Sequence, residues 1–289
     1  MDIEEASVPA CRGAHAEPLS HPLRSIAAMC GRFVSSTPPD QLAQYFDVDE
    51  VPEQLLDRGP NYNTAPTTEV FVVRRDGDAW RLDAFRWGLV PFWAKDPSVG
   101  NKMINARAET VAEKSAYRKA LQHRRCIIPA DGFYEWKKEP GSKRKQPFFI
   151  HRPDGEPYAF AGLWELWKGP KRTKAQEAAA AESGEADLPL AEPLRSCTII
   201  TTSANEAMSE LHDRMPVMLP RSAWDDWLSP DVEDAELLGK LLVPAPSELI
   251  AFHAVSTEVN NVRNKGEHLT EPAPQDPEPV DPQLPLNSA

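Results

Sequence analysis

Proline placement narrows what this chain can fold into more than any other feature of its sequence. Nine of the 29 prolines sit at the two ends: Pro9, Pro18 and Pro22 at the front, and Pro272, Pro274, Pro277, Pro279, Pro282 and Pro285 at the back. Proline fixes φ and removes a backbone donor, so both ends resist regular elements. The back segment from Glu267 also carries five acids and no Lys or Arg. It cannot bury enough apolar surface to offset ordering and reads as a disordered acidic tail over 267–289. The first 28 residues, polar and without periodicity, read as a disordered extension or as a mis-assigned start. A third weak stretch, at about 168–193, holds the run Ala178 to Ala181 among Lys, Glu, Gly and Ser, and reads as a flexible surface insertion. The remainder, 29–266, is expected to be a single domain.

Within that body short strands dominate. Val70 to Val73 and Trp80 to Phe85 flank Arg75-Asp76-Gly77-Asp78, a hairpin signal. Phe148 to Ile150 and Tyr158 to Leu163 flank Pro153-Asp154-Gly155, which predicts a second hairpin. Cys197 to Thr202 is β-branched and reads as a buried strand. Helices are fewer. Ala112, Ala116, Tyr117, Ala120 and Leu121 give a helical stripe after Glu109. Ser222 to Asp225 has the spacing of a capping box, ahead of inward-facing Trp224, Trp227 and Leu228. Leu237, Leu238, Leu241 and Leu242 mark another helix. Hairpins outnumber strand–helix alternations, so the expected class is α+β, with a mostly antiparallel, barrel-like β core and flanking helices.

Composition then limits function. Acids outnumber bases 44 to 32, a formal net charge of −12. This excludes a chain held on a polyanion by bulk charge and leaves room only for a local basic face. Residues 101–150 supply one, with 12 Lys/Arg against 5 Asp/Glu, whereas 201–250 hold 3 against 10. Lys137, Lys138, Lys143, Arg144 and Lys145 also fit a solvated hairpin loop. No apolar run approaches the ~20 residues of a membrane span, and no secretory stretch opens the chain. The expected location is the cytoplasm. Of the four cysteines, Cys11, Cys30, Cys126 and Cys197, none forms a C-x-x-C pair, so neither a disulfide framework nor a zinc site is predicted. Cys126 and Cys197 read as buried structural thiols.

Six segments are rich in polar groups and Gly/Pro punctuation: Met29-Cys-Gly-Arg-Phe33, Asn61-Tyr-Asn-Thr-Ala-Pro66, Met103-Ile-Asn-Ala-Arg-Ala-Glu109, Asp131-Gly-Phe-Tyr-Glu-Trp136, Leu211-His-Asp-Arg-Met-Pro216 and Val255 to Asn264. Singly each has a plain reading. Glu135 could be a sheet-edge acid paired with a lysine, His212 a satisfied core histidine, and Trp93 a core tryptophan. In this order, however, four of them, with Trp87-Gly-Leu-Val-Pro-Phe-Trp93, closely resemble the SOS-response-associated peptidase (SRAP) family of abasic-site-processing proteins. The likeness runs from Cys30 to about Glu267.

The resemblance implies a cysteine at the mature N-terminus that cross-links to abasic sites in single-stranded DNA, by a protein acting as a monomer without metal or organic cofactor. It carries over Cys30, Asn105, Glu135 and His212 as catalytic residues. Asn105 would hold the cysteine or the sugar, Glu135 would be the general acid/base, and His212 would move a proton at the opened sugar. Arg32, Trp93, Arg107 and Arg214 carry over as DNA-binding: Trp93 stacks on a base, and Arg107 and Arg214 clamp phosphates. Arg32, Asn63 and Asn264 would also shape the site.

The chemistry follows from the residue itself. An α-amine, with a pKa near ~7.7–8.0, is substantially neutral at pH 7 and can form an imine with the open-chain aldehyde, unlike a lysine near ~10.4. The thiol on the adjacent carbon then closes a thiazolidine, an intramolecular step favoured by high effective molarity. As written, Cys30 is internal and its nitrogen is an amide. Either translation starts at Met29, followed by removal of that methionine, or the chain cuts its own Met29–Cys30 bond. The alternatives to cross-linking are a cysteine peptidase acting on other proteins through Cys30 and His212, and a non-catalytic single-stranded DNA binder.

Overall fold

Near-continuous apolar runs, such as Val70 to Val73 and Cys197 to Ile200, build strands that need covering on both faces, and the chain supplies part of the cover by folding two sheets against each other. The computed structural model describes residues 30–138, 141, 144–170, 177 and 193–274. The front extension with Cys11, the Ala178 to Ala181 run, Lys143 and residues beyond 274 lie outside the described residues.

One sheet contains a closed barrel of five strands. β3 (Glu69–Asp76) pairs with β4 (Ala79–Trp87), β4 with β10 (Leu194–Ser203), β10 with β9 (Tyr158–Trp167), and β9 with β6 (Arg125–Ala130); β6 then returns to β3. Only the β4–β10 contact in this ring is parallel. Closure leaves no free edge within the ring. Strand β10, as long as β9, is used twice along each edge. Past β4 it meets β5 (Asn105–Arg107) in parallel, and past β9 it meets β11 (Arg214–Pro216) antiparallel. The second sheet is antiparallel throughout, in the order β12 (Ala251–Ala254), β8 (Lys145–His151), β7 (Gly132–Lys138), β1 (Phe33–Ser35) and β2 (Asn61–Thr64).

Period-two alternation divides the barrel strands between two cores. Phe71, Val73, Ile127 and Ile200 face one cluster, sealed by Leu42, Phe46, Trp224 and Trp227 from flanking helices. Val70, Val72, Cys126, Ile128, Cys197 and Ile199 face the other, which reaches the second sheet through Phe33, Phe133 and Ile150 and also holds Cys30. Cys126 and Cys197 are buried thiols, as read from the sequence.

Two glycines explain their motifs. A Cβ on Gly132 would meet the Phe149 ring at 2.3 Å and the Ile150 carbonyl at 2.6 Å, so only glycine lets β7 lie against β8 here. Gly88 has φ +125° and abuts Gly100, where a Cβ would sit 2.6 Å from the Gly100 carbonyl oxygen. That contact fixes the start of the loop carrying Trp93.

The β3–β4 hairpin forms as expected. Four expectations need correction. The Asp154-Gly155 turn makes no hairpin: β8 pairs with β7 and β12, while β9 pairs with β6 and β10, so the turn carries the chain between sheets. Pro153 and Pro157 in this connection donate no ladder bond, which suits a crossing better than a paired turn. The stripe from Ala112 to Leu121 yields a helix only over Arg118–His123, preceded by turns. The helix Trp224–Leu228 buries the expected Trp224, Trp227 and Leu228, but no side chain caps it, because Pro220 opens a 3-10 turn over Arg221–Ala223 that displaces Ser222 from the cap position. Finally, the acidic tail does not begin at Glu267. Glu267–Thr270 forms a 3-10 turn, Leu269 is fully buried with Val34, Tyr134, Phe149, Val255 and Val259, and Val255 bridges Pro272. A single apolar anchor outweighs the polar composition around it.

Candidate active site

The site forms where the two sheets meet. Strand β1 lies between β2 and β7, and the backbone N–H of Tyr134 donates to the Arg32 carbonyl (2.9 Å), so the Cys30 end of the chain runs alongside β7. The Cys30 backbone nitrogen donates to Glu135 Oε1 at 2.6 Å. Cys30 itself has φ +46°, a left-handed conformation that costs a side-chain-bearing residue about 1 kcal/mol. Its thiol is fully buried, and burial, with the charge of Glu135 second, pushes its pKa well above the ordinary cysteine value.

Glu135 is only 4% exposed. Burial raises its carboxyl to about 7, against the lowering pull of backbone hydrogen bonds from Cys30 and Trp136 and of the Lys145 charge; Asp213 adds a small raising effect. A carboxyl at this value exchanges protons readily near neutral pH.

Asn105 and His212 arrive from the barrel sheet. Asn105 begins β5, which is pinned to β10 opposite Ile199, and its carbonyl accepts from the Tyr117 hydroxyl at 3.4 Å. His212 follows the helical turn Glu206–Ser209, whose N-cap Asn205 accepts from the Met208 N–H, and the His212 N–H closes back on the Met208 carbonyl. The residues preceding each, Ile104 and Leu211, share one hydrophobic cluster with Cys30. Lys145 and the 212–213 pair couple the sheets electrically: Lys145 acts on both Glu135 and His212, and Asp213 acts on both as well. Burial is the largest influence on His212 and lowers its pKa, so the ring is neutral at pH 7. Its Nδ1 lies 2.8 Å from Asp213 Oδ1 and 3.2 Å from the Arg214 backbone nitrogen. A neutral ring cannot donate to one and accept from the other through the same atom. The hydrogen bond is the one donated by the Arg214 N–H, so Nδ1 accepts and the proton of the neutral ring sits on Nε2.

The DNA-binding candidates are less uniform. Trp93 is 48% exposed and its neighbour Phe92 42%, so Trp93 is not a core residue. Lys119 Nζ stands 5.5 Å over the Phe92 ring. Arg107 is exposed on β5. Arg214, in contrast, is engaged: it donates bidentately to Glu109 at 2.7 and 3.0 Å and to the Thr201 carbonyl at 2.6 Å. Arg32 donates to Asn63 Oδ1 at 2.6 Å and to the Val259 carbonyl at 2.9 Å, and lies 5.9 Å over Trp136. The fully buried Asn63 amide in turn donates to the carbonyls of Val259, Asn261 and Asn264. Arg32, Asn63 and Asn264 therefore clamp the late loop onto β1 and β2.

Glu109, Asp213 and Lys145 were not singled out from the sequence. Glu109 closes a recognised motif, but its partner lies 105 residues away; Lys145 sits among loop lysines that a linear reading cannot separate. Among the described residues no three His, Cys, Asp or Glu side chains converge as metal ligands, and no helix is long and apolar enough to cross a membrane.

A small closed barrel with a second sheet that presents a cysteine nitrogen to a buried carboxylate defines a cysteine-centred α+β protein. The chain belongs to the SOS response associated peptidase (SRAP) family, which matches residues 29–262. A Bacillus subtilis protein named abasic site processing protein YoqW is 41% identical over 247 residues, covering 84% of this chain and 99% of the relative. Abasic site processing protein YedK of Escherichia coli is 32% identical, over 84% of this chain and 100% of the relative. A solved structure from Bacteroides thetaiotaomicron superposes with TM-score 0.69 over 84% of this chain and 100% of its own, at 23% identity, which supports the fold alone.

Proposed function

We propose that this protein processes abasic sites in single-stranded DNA by covalent capture at Cys30, once the residues preceding it are gone. The observation that carries the reading is the 2.6 Å contact between the Cys30 nitrogen and Glu135. Freed as an α-amine, ordinarily at ~7.7–8.0, that nitrogen would sit on a carboxyl that burial holds at about 7 in the uncleaved chain; the ammonium would draw that value down, and a proton would still pass directly between the two.

Glu135 as carboxylate takes a proton from the ammonium, and the neutral amine adds to the sugar aldehyde. Glu135, now an acid, protonates the carbinolamine hydroxyl, which leaves as water and gives the iminium. The Cys30 thiol gives its proton to the regenerated carboxylate as sulfur bonds to the imine carbon. Amine, aldehyde and thiol thus yield a thiazolidine and one water. Burial keeps the free thiol protonated, so the sulfur needs that base. His212 Nε2 serves the sugar hydroxyl during ring opening, and Asn105 positions the reacting cysteine or sugar. Arg107 takes a flanking phosphate and Trp93 stacks on an adjacent base. Arg214 reaches DNA only by exchanging Glu109 for a phosphate; until then it positions β11.

Exposure of Cys30 is part of the proposal. Either translation starts at Met29 and that methionine is trimmed, or Cys30 attacks the preceding carbonyl in self-cleavage. Loss of the preceding residue also abolishes the strained φ torsion. A peptidase acting on other chains has less support, because an activated nucleophilic cysteine is exposed with a lowered pKa and Cys30 is the reverse.

The test is incubation of protein beginning at Cys30 with an oligonucleotide bearing one abasic site. A denaturation-resistant adduct, lost in Cys30→Ala, supports the reading; its absence from protein verified to begin at Cys30 overturns it.

A further inference from the structure

Arg32 and Lys265 are two cations hung on one buried residue. Arg32 Nη1 donates to Asn63 Oδ1, and Lys265 Nζ donates to the Asn63 carbonyl. Asn63 is fully buried and its amide is saturated by three carbonyls of the late loop, so neither cation can drift far from the other. Trp136 underlies Arg32 at 5.9 Å and is itself fixed by its Nε1 donating to Asn260 Oδ1 at 2.7 Å.

Among the described residues neither cation forms an ion pair with a carboxylate. The acids closest to Lys265 along the chain are Glu258 and Glu267. Glu258 Oε2 is turned toward His268 at 3.2 Å, and Glu267, two residues past Lys265, pairs with neither. Two like charges held together without a counter-charge repel, and Lys265 is pushed below the usual lysine value by burial first and by Arg32 second. A fold that accepts this repulsion leaves a net charge of two for an anion; Arg32 follows Cys30 closely in the chain, but its guanidinium lies over Trp136 and bonds the Val259 carbonyl on the other face of the second sheet.

We propose that Arg32 and Lys265 form a phosphate subsite on the face of the second sheet away from Cys30, filled by a backbone phosphate of the single strand beyond the captured nucleotide. The inference rests on the DNA reading above, and it adds Lys265 and a counter-charge-free pair to that reading. Lys265 directly follows the polar segment Val255 to Asn264.

The experiment measures binding of an unmodified single-stranded oligonucleotide by fluorescence anisotropy across a salt series, for wild type, Lys265→Gln and Lys265→Arg. Gln keeps a donor for the Asn63 carbonyl and loses the charge; Arg keeps the charge. The expected result is a log K against log salt slope shallower by about 0.7 for Lys265→Gln, a several-fold weaker affinity at low salt, and near-restoration in Lys265→Arg. Inorganic phosphate at tens of millimolar should weaken wild-type binding more than that of Lys265→Gln, beyond the effect of chloride at equal ionic strength. An unchanged slope in Lys265→Gln, or equal losses in both variants, overturns the subsite and leaves Lys265 as a structural tie. Failure of the DNA reading itself would show separately, as absence of adduct with abasic DNA in the wild type.

Discussion

In the proposed chemistry Glu135 owes its part to burial, since only 4% of it is exposed. A carboxyl on the protein surface would stay ionised at pH 7; burial brings this one to about 7, where acid and base forms coexist. The pH dependence follows with a definite sign. In protein beginning at Cys30 the ammonium draws the carboxyl below the value of about 7 that it has in the uncleaved chain, so the base form grows and the capture rate should climb as pH rises towards 7. In Glu135→Gln it should lose this limb and fall by roughly 10²–10⁴-fold, read from single-turnover gels. Stability runs the other way. A carboxyl whose folded pKa is raised favours folding below its unfolded value near 4.5, and that advantage is lost as pH rises through about 7. Denaturant melts of the full chain should therefore show Glu135→Gln gaining on the wild type between pH 5 and 8, by on the order of 3 kcal/mol. A constant difference across that range would mean that Glu135 ionises freely.

At the scale of elements, the site depends on how β5 and β11 are locked to opposite edges of β10. Arg214 reaches across β10, through the Thr201 carbonyl, to Glu109 just beyond β5, and so ties the segment after His212 to the segment after Asn105. Glu109 is also the charge a phosphate must displace to engage Arg214. In Glu109→Gln, oligonucleotide affinity should rise a few-fold at low salt while the single-turnover rate on bound DNA falls, since the guanidinium is freed and His212 is less firmly placed. Weaker binding together with an unchanged rate would contradict this. The loop of Phe92 and Trp93 makes a separate contribution: Trp93→Ala should weaken single-strand binding by about 1–3 kcal/mol and leave the melting temperature close to wild type, because the side chain is half exposed.

These elements were unequally legible. The β3–β4 hairpin could be read because its Asp76-Gly77 turn and both strands are contiguous. The Asp154-Gly155 turn carries the same local signal, yet what β8 and β9 pair with is decided by strands far away in sequence. The sequence names Cys30, Asn105, Glu135 and His212 as candidates because each lies within a motif; Glu109 and Asp213 lie in those motifs too, but they, Lys145 and Lys265 act on partners that only the fold brings near. For the molecule as a whole, the clearest misreading was the end of the domain. Averaged over 267–289 the composition is acidic and Pro-rich, which hides Leu269 seated among Val34, Tyr134 and Phe149 on the face of the second sheet away from Cys30. Leu269→Ala should cost roughly 2–5 kcal/mol in chemical denaturation; a change within about 0.5 kcal/mol would show that the segment is not part of the core.

The most direct measurement is mass spectrometry of the adduct between protein beginning at Cys30 and an abasic oligonucleotide. The account predicts a mass equal to protein plus DNA minus one water, with the sugar mapped to Cys30 through both nitrogen and sulfur, and no adduct when the α-amine is acetylated beforehand. An adduct on a lysine, or one that forms equally well on the acetylated protein, would contradict it.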